Sequence, residues 1–155
     1  MKKILFVFLL VLAGCSANQA VVETQIISRP AVEQRALTSA MESAFKPVEF
    51  AKLVPGKSYV EVIGLSDRDL AFVRGYVENR ILAAGGQVTR NPQDTDFKIN
   101  LVLTVIGGDR VSSKFLFFSS DRFDGEFAGR WTVIDANDNV LMSERLSATS
   151  SEVIR

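Results

Sequence analysis

The chain opens with an uninterrupted apolar run, Ile4 to Leu12, preceded by the basic Met1-Lys2-Lys3 and followed by Ala13-Gly14-Cys15 and polar Ser16, Asn18 and Gln19. A run of that length is the hydrophobic core of a secretory signal and falls short of the roughly 20 apolar residues a membrane-spanning helix needs. From Ser16 to about Pro30 no period is sustained. This stretch reads as a tether, although residues 21–27 have the β-branched composition of a strand. Between Ala31 and Phe45 the apolar positions Val32, Ala36, Leu37, Ala40, Met41, Ala44 and Phe45 recur at steps of three and four, which predicts a helix that Pro47 ends.

Lys57 to Gly64 is a β-rich run, predicted as a buried strand. Ser66-Asp67-Arg68-Asp69 has the form of a helix start. The helix it opens carries Leu70, Val73, Val77 and Ile81 inward and Arg68, Arg74, Glu78 and Arg80 mostly outward, and it stops at Gly85-Gly86. Gln87 to Arg90 is predicted as a short strand, and Asn91 to Asp94 as a turn. Phe97, Ile99, Leu101, Leu103 and Val105 alternate with polar neighbours, which predicts a strand with one buried face, ended by Gly107-Gly108. A second long strand is predicted over Glu126 to Asp135, with Phe127, Trp131 and Val133 on one face. Asn137-Asp138-Asn139 turns it into a hairpin partner, Val140 to Ala148. The order implies an α+β fold: a single-domain sandwich with a mainly antiparallel sheet and two helices packed on one face, in which the second helix and its return through Asn91-Pro92 fit a split β-α-β unit. The expected organisation is a cleaved signal at 1–14, a lipidated cysteine and tether at 15–30, a periplasmic domain at 31–148 and a flexible tail at 149–155.

Composition narrows the chemistry. Apolar residues make up 47% of the 155 and charged residues 23%, enough for a core and too few charges for a disordered chain. Basic and acidic side chains balance at 18 each, and Lys2 and Lys3 leave with the signal, so nothing points to a nucleic-acid partner. The single cysteine excludes an intramolecular disulfide, and the absence of histidine removes the commonest metal ligand and the usual proton carrier near neutral pH.

Leu12-Ala13-Gly14-Cys15 resembles the lipobox of bacterial lipoproteins. That resemblance implies cleavage before Cys15 and acylation of its thiol, with a permanent membrane anchor as the result. Ser16 in the next position, by similarity to enterobacterial sorting, implies the periplasmic face of the outer membrane. A second resemblance rests on Leu82-Ala83-Ala84-Gly85-Gly86-Gln87-Val88, Asn91-Pro92-Gln93-Asp94-Thr95-Asp96-Phe97 and the strand to Gly107-Gly108-Asp109. This pattern is similar to small envelope lipoproteins of unknown function that carry a helix, "AAG", a strand, "NPxDAD" and a strand ending in "IGxD", with Thr95 here in place of Ala. More distantly, the element order resembles outer-membrane assembly lipoproteins such as the curli secretion lipoprotein and TraT.

Asp94, Asp96 and Asp109 do not complete a calcium loop and read as turn-capping residues, so no metal site is expected. Asp121, Asp124 and Glu126 fall in a predicted loop without an orienting partner. Ser112-Ser113 and Ser119-Ser120 lack a nucleophile turn and a base, and the glycine pairs lack the rest of a phosphate loop. No catalytic residue and no cofactor are expected. The most informative stretch is Val111 to Phe123, where Phe115, Leu116, Phe117, Phe118 and Phe123 stand among Ser, Lys and Asp. Those rings either pack inside the domain or form a surface facing lipid or protein, flanked by Lys114 and Arg122. The expected function is that of a non-enzymatic structural or assembly component working through an envelope protein partner or self-association. The alternative is a periplasmic binding module for an envelope lipid or glycan.

Overall fold

Trp131, Phe45 and Phe127 are the largest fully buried side chains, and the elements around them define the architecture. The structure, a computed structural model, describes residues 30–64, 67–115 and 118–154. In chain order these form helix α1 (Ala31–Phe45), a 3-10 turn (Phe50–Leu53), strand β1 (Lys57–Ile63), helix α2 (Asp67–Ala83), and strands β2 (Gln87–Val88), β3 (Phe97–Phe115), β4 (Phe118–Asp135) and β5 (Val140–Ile154). The sheet order is β2-β1-β3-β4-β5. β1 runs parallel to both of its neighbours, and the two long ladders, β3 with β4 and β4 with β5, are antiparallel. This is the α+β class expected. Because β2 and β3 both pair directly with β1, no strand is interleaved between parallel partners, and the β-α-β unit is not split.

Both helices cover one face. Val60 and Val62, then Ile99, Leu101 and Leu103, Phe127, Trp131 and Val133, and Leu146 form one cluster with Ala40, Met41, Ala44 and Phe45 of α1 and Val73, Val77 and Ile81 of α2. Phe45 is its hub: its ring centroid lies 5.5 Å from Tyr76, 5.7 Å from Phe127, 5.9 Å from Trp131 in an edge-on contact, and 6.2 Å from Phe50. The Phe50–Leu53 turn, which has no periodic signature, adds two buried side chains to this cluster. Helix α2 ends at Gly85, whose φ of 92° is open to glycine at little cost. The Gly86 amide donates to the Ile81 carbonyl (2.9 Å) and the Gly85 amide to that of Leu82 (2.9 Å), so the last turn is closed by paired reverse bonds. Its polar side is less open than expected. Glu78 retains 12% side-chain exposure and bonds Arg90 at 3.0 Å, while the Arg80 guanidinium lies 5.4 Å over the Phe50 ring.

The sheet is longer than its hydrophobic pattern. Gly107-Gly108 does not end β3, which continues to Phe115. β4 starts at Phe118 rather than Glu126, so Ser112, Ser113, Ser119 and Ser120 belong to strands and not to loops. Residues 149–154 are likewise not a tail: Thr149 to Ile154 pair with Glu126 to Asp121. The physical reason is that ladder hydrogen bonds do not depend on side-chain polarity, so once β4 is extended, its neighbours gain partners regardless of pattern. At the short end, β2 covers only Gln87–Val88 of the predicted 87–90, with the Thr89 amide still donating to the Ser58 carbonyl at 2.9 Å.

Gly108 and Gly125 face each other across the β3–β4 ladder. A Cβ on Gly125 would stand 2.8 Å from the Ala36 carbonyl carbon and 3.0 Å from the Leu37 nitrogen, so the absence of a side chain lets the α1 backbone rest on the sheet. Gly125→Val is expected to destabilise the domain by about 1–3 kcal/mol through overpacking against backbone that has no rotamer to yield. Gly107→Ala, whose Cβ would meet nothing within 4 Å, is expected to be near neutral. Urea unfolding of the two variants checks the contrast.

Candidate functional site

The candidate site is the distal part of the β3–β4 hairpin. Register pairs Gly108 with Gly125, Arg110 with Phe123, Ser112 with Asp121 and finally Phe115 with Phe118, so the aromatic run lies at the turn of the longest hairpin. Alternation starting from buried Phe127 puts Gly125, Phe123 and Asp121 on the helix-covered face. Phe123 is 8% exposed and packs with Ala36, Leu37 and Val32 of α1, while its ring lies 2.7 Å from where a Gly108 Cβ would be. Of the four phenylalanines singled out from sequence, Phe123 is therefore an intramolecular anchor for α1 and is not offered to a partner. Phe115 and Phe118 are placed opposite one another by backbone register, and Phe117 lies outside the described residues. Cys15, the signal at 1–14 and the tether up to residue 29 also lie outside them, as does Ser66.

Beyond Phe123 the hairpin is held by polar pairs. Arg110 donates to Asp121 Oδ2 at 2.6 Å, Arg122 Nε to Asp124 Oδ2 at 3.1 Å, and the Ser151 hydroxyl to Asp124 Oδ1 at 2.6 Å. Asp121 and Asp124, weighed as a catalytic pair, are used as cross-strand and same-strand partners for arginine and serine. Glu126 stands exposed opposite Thr149. Asp94 and Asp96 serve the start of β1: the Lys57 amide donates to Asp96 Oδ2 at 2.8 Å and the Lys57 ammonium to Asp94 at 3.0 Å. Thr95 contributes more than its similarity to Ala implied, since its hydroxyl lies 2.9 Å from the Lys57 carbonyl oxygen. Asp109 is exposed in β3, in register with Asp124 rather than near Asp94 or Asp96. Among the described residues no group of three or more potential ligands stands close enough to hold a metal ion, and no helix is long and apolar enough to cross a membrane.

Sequence reasoning missed two surfaces. The sheet face opposite the helices leaves Ile63 half exposed beside its register partner Val102, with Val105 farther along β3; alternation assigned Val105 to the buried face, and the register shift between Leu103 and Val105 moves it to the open one. The second is the outer edge of β5. Near its end, Val32 and Arg35 of α1 line a groove of about 500 Å³ together with Ser151, Glu152 and Val153, and Arg35 Nε stands 3.9 Å from Glu152. The period-two pattern of β3 signalled the open face, whereas nothing local marks β5 as an edge.

Burial raises the Tyr76 hydroxyl above its ordinary value, and the hydrogen bond to Glu49 raises that of exposed Lys52. At the β4–β5 turn the Asn139 side chain, its backbone amide and the Asn137 amide donate to Asp135 at 3.0, 2.9 and 2.8 Å, which lowers the Asp135 pKa.

No protein-family model and no curated protein matches the chain. Among solved structures it is similar to a PelC dodecamer from Paraburkholderia phytofirmans, with 14% identity, a TM-score of 0.45, and coverage of 63% of this chain and 72% of that one. It is also similar to a minor lipoprotein from Acinetobacter baumannii, with 12% identity, a TM-score of 0.38, and coverage of 61% and 67%. The lipoprotein GNA1162 from Neisseria meningitidis overlaps with 13% identity, a TM-score of 0.38, and coverage of 64% and 84%.

The lowered Asp135 pKa sets a sign for acid behaviour. A carboxylate with a depressed folded value stabilises the hairpin above its unfolded value of about 3.9 and loses that contribution as pH falls through the folded one. Thermal melts are therefore expected to show Asp135→Asn below the parent protein at pH 7, with the gap closing as pH falls through the lowered folded value and the parent's own carboxylate protonates.

Proposed function

We propose that this chain is a lipid-anchored lipoprotein of the bacterial envelope, held at the periplasmic face of the outer membrane through an acylated Cys15. It acts without catalysis as a structural or assembly component. The anchor rests on the sequence: a basic start, the Ile4–Leu12 core and Leu12-Ala13-Gly14-Cys15 in the order a lipoprotein signal requires. Confinement to a membrane surface raises the effective concentration of neighbours, so a small contact patch suffices for assembly.

The observation that carries the assembly reading is the register of the hairpin, which sets Phe115 opposite Phe118, each five residues along its strand from the Arg110–Phe123 pair, where α1 packs on the hairpin among the described residues. Apolar rings at the end of a projecting hairpin provide the kind of anchor that dominates protein interfaces, where a few aromatic residues carry most of the binding energy. Lys114 and Arg122 flank this turn in sequence and supply charge for an acidic rim on the partner.

Two outcomes test this. Cys15→Ser is expected to move the protein from the membrane to the soluble fraction, and mass spectrometry of the parent protein is expected to find acyl chains on the Cys15 thiol. Crosslinking in intact cells followed by mass spectrometry is expected to recover a defined partner or a second copy. Phe117→Ser with Phe118→Ser is expected to lower that yield about tenfold or more at an unchanged unfolding midpoint. Unchanged partners with unchanged folding would remove the tip from the mechanism.

A further inference from the structure

We infer that the open face of the sheet is a self-complementary dimer surface, on which a second copy packs face to face with its strands reversed, about a two-fold axis that crosses the strands at Val105 and Ala128. Alternation fixes what this face carries. On β4, Phe127 and Trp131 are buried towards the helices, so Ala128 and Arg130 point away from them, with Glu126 and Asp124 farther along. Register adds Val102, Val105, Gly107 and Asp109 of β3, and Arg145, Ser147 and Thr149 of β5. The bond from Arg130 to the Ser143 hydroxyl, at 3.4 Å, places both side chains on this side.

The first ground is charge. Arg130 and Arg145 stand directly opposite one another, both exposed, and no carboxylate among the described residues pairs with either. Asp109 and Asp124 are likewise opposite, with exposed Glu126 next along β4. Like charges facing across a ladder destabilise a sheet, and here a cationic row and an acidic region lie on either side of the Val105–Ala128 row. Within one chain Arg130 and Glu126 are roughly 13 Å apart along β4 and make no ion pair. Rotation about an axis through Ala128 sets Arg130 of each copy on Glu126 of the other, so the pair forms twice, and it sets Arg145 on Thr149, the cross-strand neighbour of Glu126. Packed sheets lie about 10 Å apart, a gap that an arginine and a glutamate span together.

The second ground is shape. A Cβ on Gly107 would meet nothing within 4 Å, and Gly107 lies in a hollow of about 350 Å³ lined also by Val105, Asp109, Asp124, Glu126 and Thr149. The row on the other side of the axis carries Val102, 43% exposed, with half-exposed Ile63 beside it. The rotation that brings Arg130 to Glu126 brings Val102 of each copy over the Gly107 hollow of the other, and Val105, 37% exposed, against its own counterpart near the axis. Projection and hollow are thus related by the same operation as the charges, which is the self-complementarity that a two-fold interface requires.

The size of the patch sets the strength of the contact. Strands about 4.8 Å apart and same-face rows about 6.8 Å apart, from the Asn100–Thr132 row to the Asp109–Asp124 row, give on the order of 550 Å² per copy, a little more than the roughly 1,000 Å² in total that a specific interface needs. Such a dimer is weak in solution and strengthens where molecules share a surface. It uses neither the hairpin turn nor an acylated Cys15, and so goes beyond the function proposed above. Because the strands of the two copies run in opposite directions, their Phe115–Phe118 turns point apart, and one dimer presents an aromatic turn at each end.

Sedimentation of the full mature chain as Cys15→Ser, over a concentration series, is expected to show a reversible monomer–dimer equilibrium. Arg130→Glu and Glu126→Arg each place like charges across the axis and are expected to weaken the dimer about tenfold or more. The chain carrying both is expected to regain it, with urea midpoints unchanged throughout. Gly107→Val, which fills the hollow, is expected to weaken the dimer by a similar factor. In the same Cys15→Ser chain, Val105→Cys is expected to link to its own counterpart through a short bismaleimide, and Ser113→Cys to stay unlinked. A monomer at every concentration would overturn the proposal, as would a dimer indifferent to the single charge reversals or not recovered by the double one. Phe117→Ser with Phe118→Ser is expected to leave this equilibrium unchanged. A dimer that those two substitutions abolish and that links through Ser113→Cys is held at the turn, an outcome that sinks the open-face proposal while supporting the assembly reading.

Discussion

The close rest of the α1 backbone on Gly125 is the constraint from which the remaining geometry follows. With no side chain between them, Ala36 and Leu37 come down to the sheet, and the helix axis is set one turn at a time from there. Towards its carboxyl end this depth carries Phe45 into contact with Tyr76, Phe127 and Trp131, joining the two helices and the central strands into one core. Towards its amino end it closes Val32, Ala36 and Leu37 over Phe123, whose ring in turn uses the space left by Gly108. Two facing glycines thus make a seat for a helix, whereas the sequence pattern ends the strand at Gly107-Gly108.

That seat divides the sheet into two functional parts. On one side lies a conventional core of apolar faces, stable because the aromatic cluster excludes water on all sides. On the other the hairpin and the end of β5 continue as a three-stranded extension held by ladder bonds and by the Arg110–Asp121, Arg122–Asp124 and Ser151–Asp124 contacts. Exposed ion pairs contribute little stability on their own. Their value here is in alignment: they hold the three strands of the extension in register.

The acidic residues illustrate how context decides chemistry. Asp94 and Asp96 organise the first residue of β1, Asp135 organises the β4–β5 turn, and Asp121 and Asp124 steady the hairpin. Each carboxylate has a donor that gives it a structural task, and they are spread over three separate regions of the fold.

The sequence by itself determined the elements whose signal is local. Helix α1 from Ala31 to Phe45, the inward stripe Val73, Val77 and Ile81, the stop at Gly85, and the buried faces of β3 as far as Leu103 and of β4 all follow from spacing that a few neighbouring residues carry. Tertiary structure alone decided where strands end, because Ser112, Ser113, Ser119 and residues 149–154 are strand only by virtue of a partner's backbone, which no periodicity records. It also decided that Phe123 belongs to the interior while Phe115 and Phe118 mark the turn. The burial of Phe123 depends on which element arrives above it, and that helix lies more than eighty residues earlier in the chain.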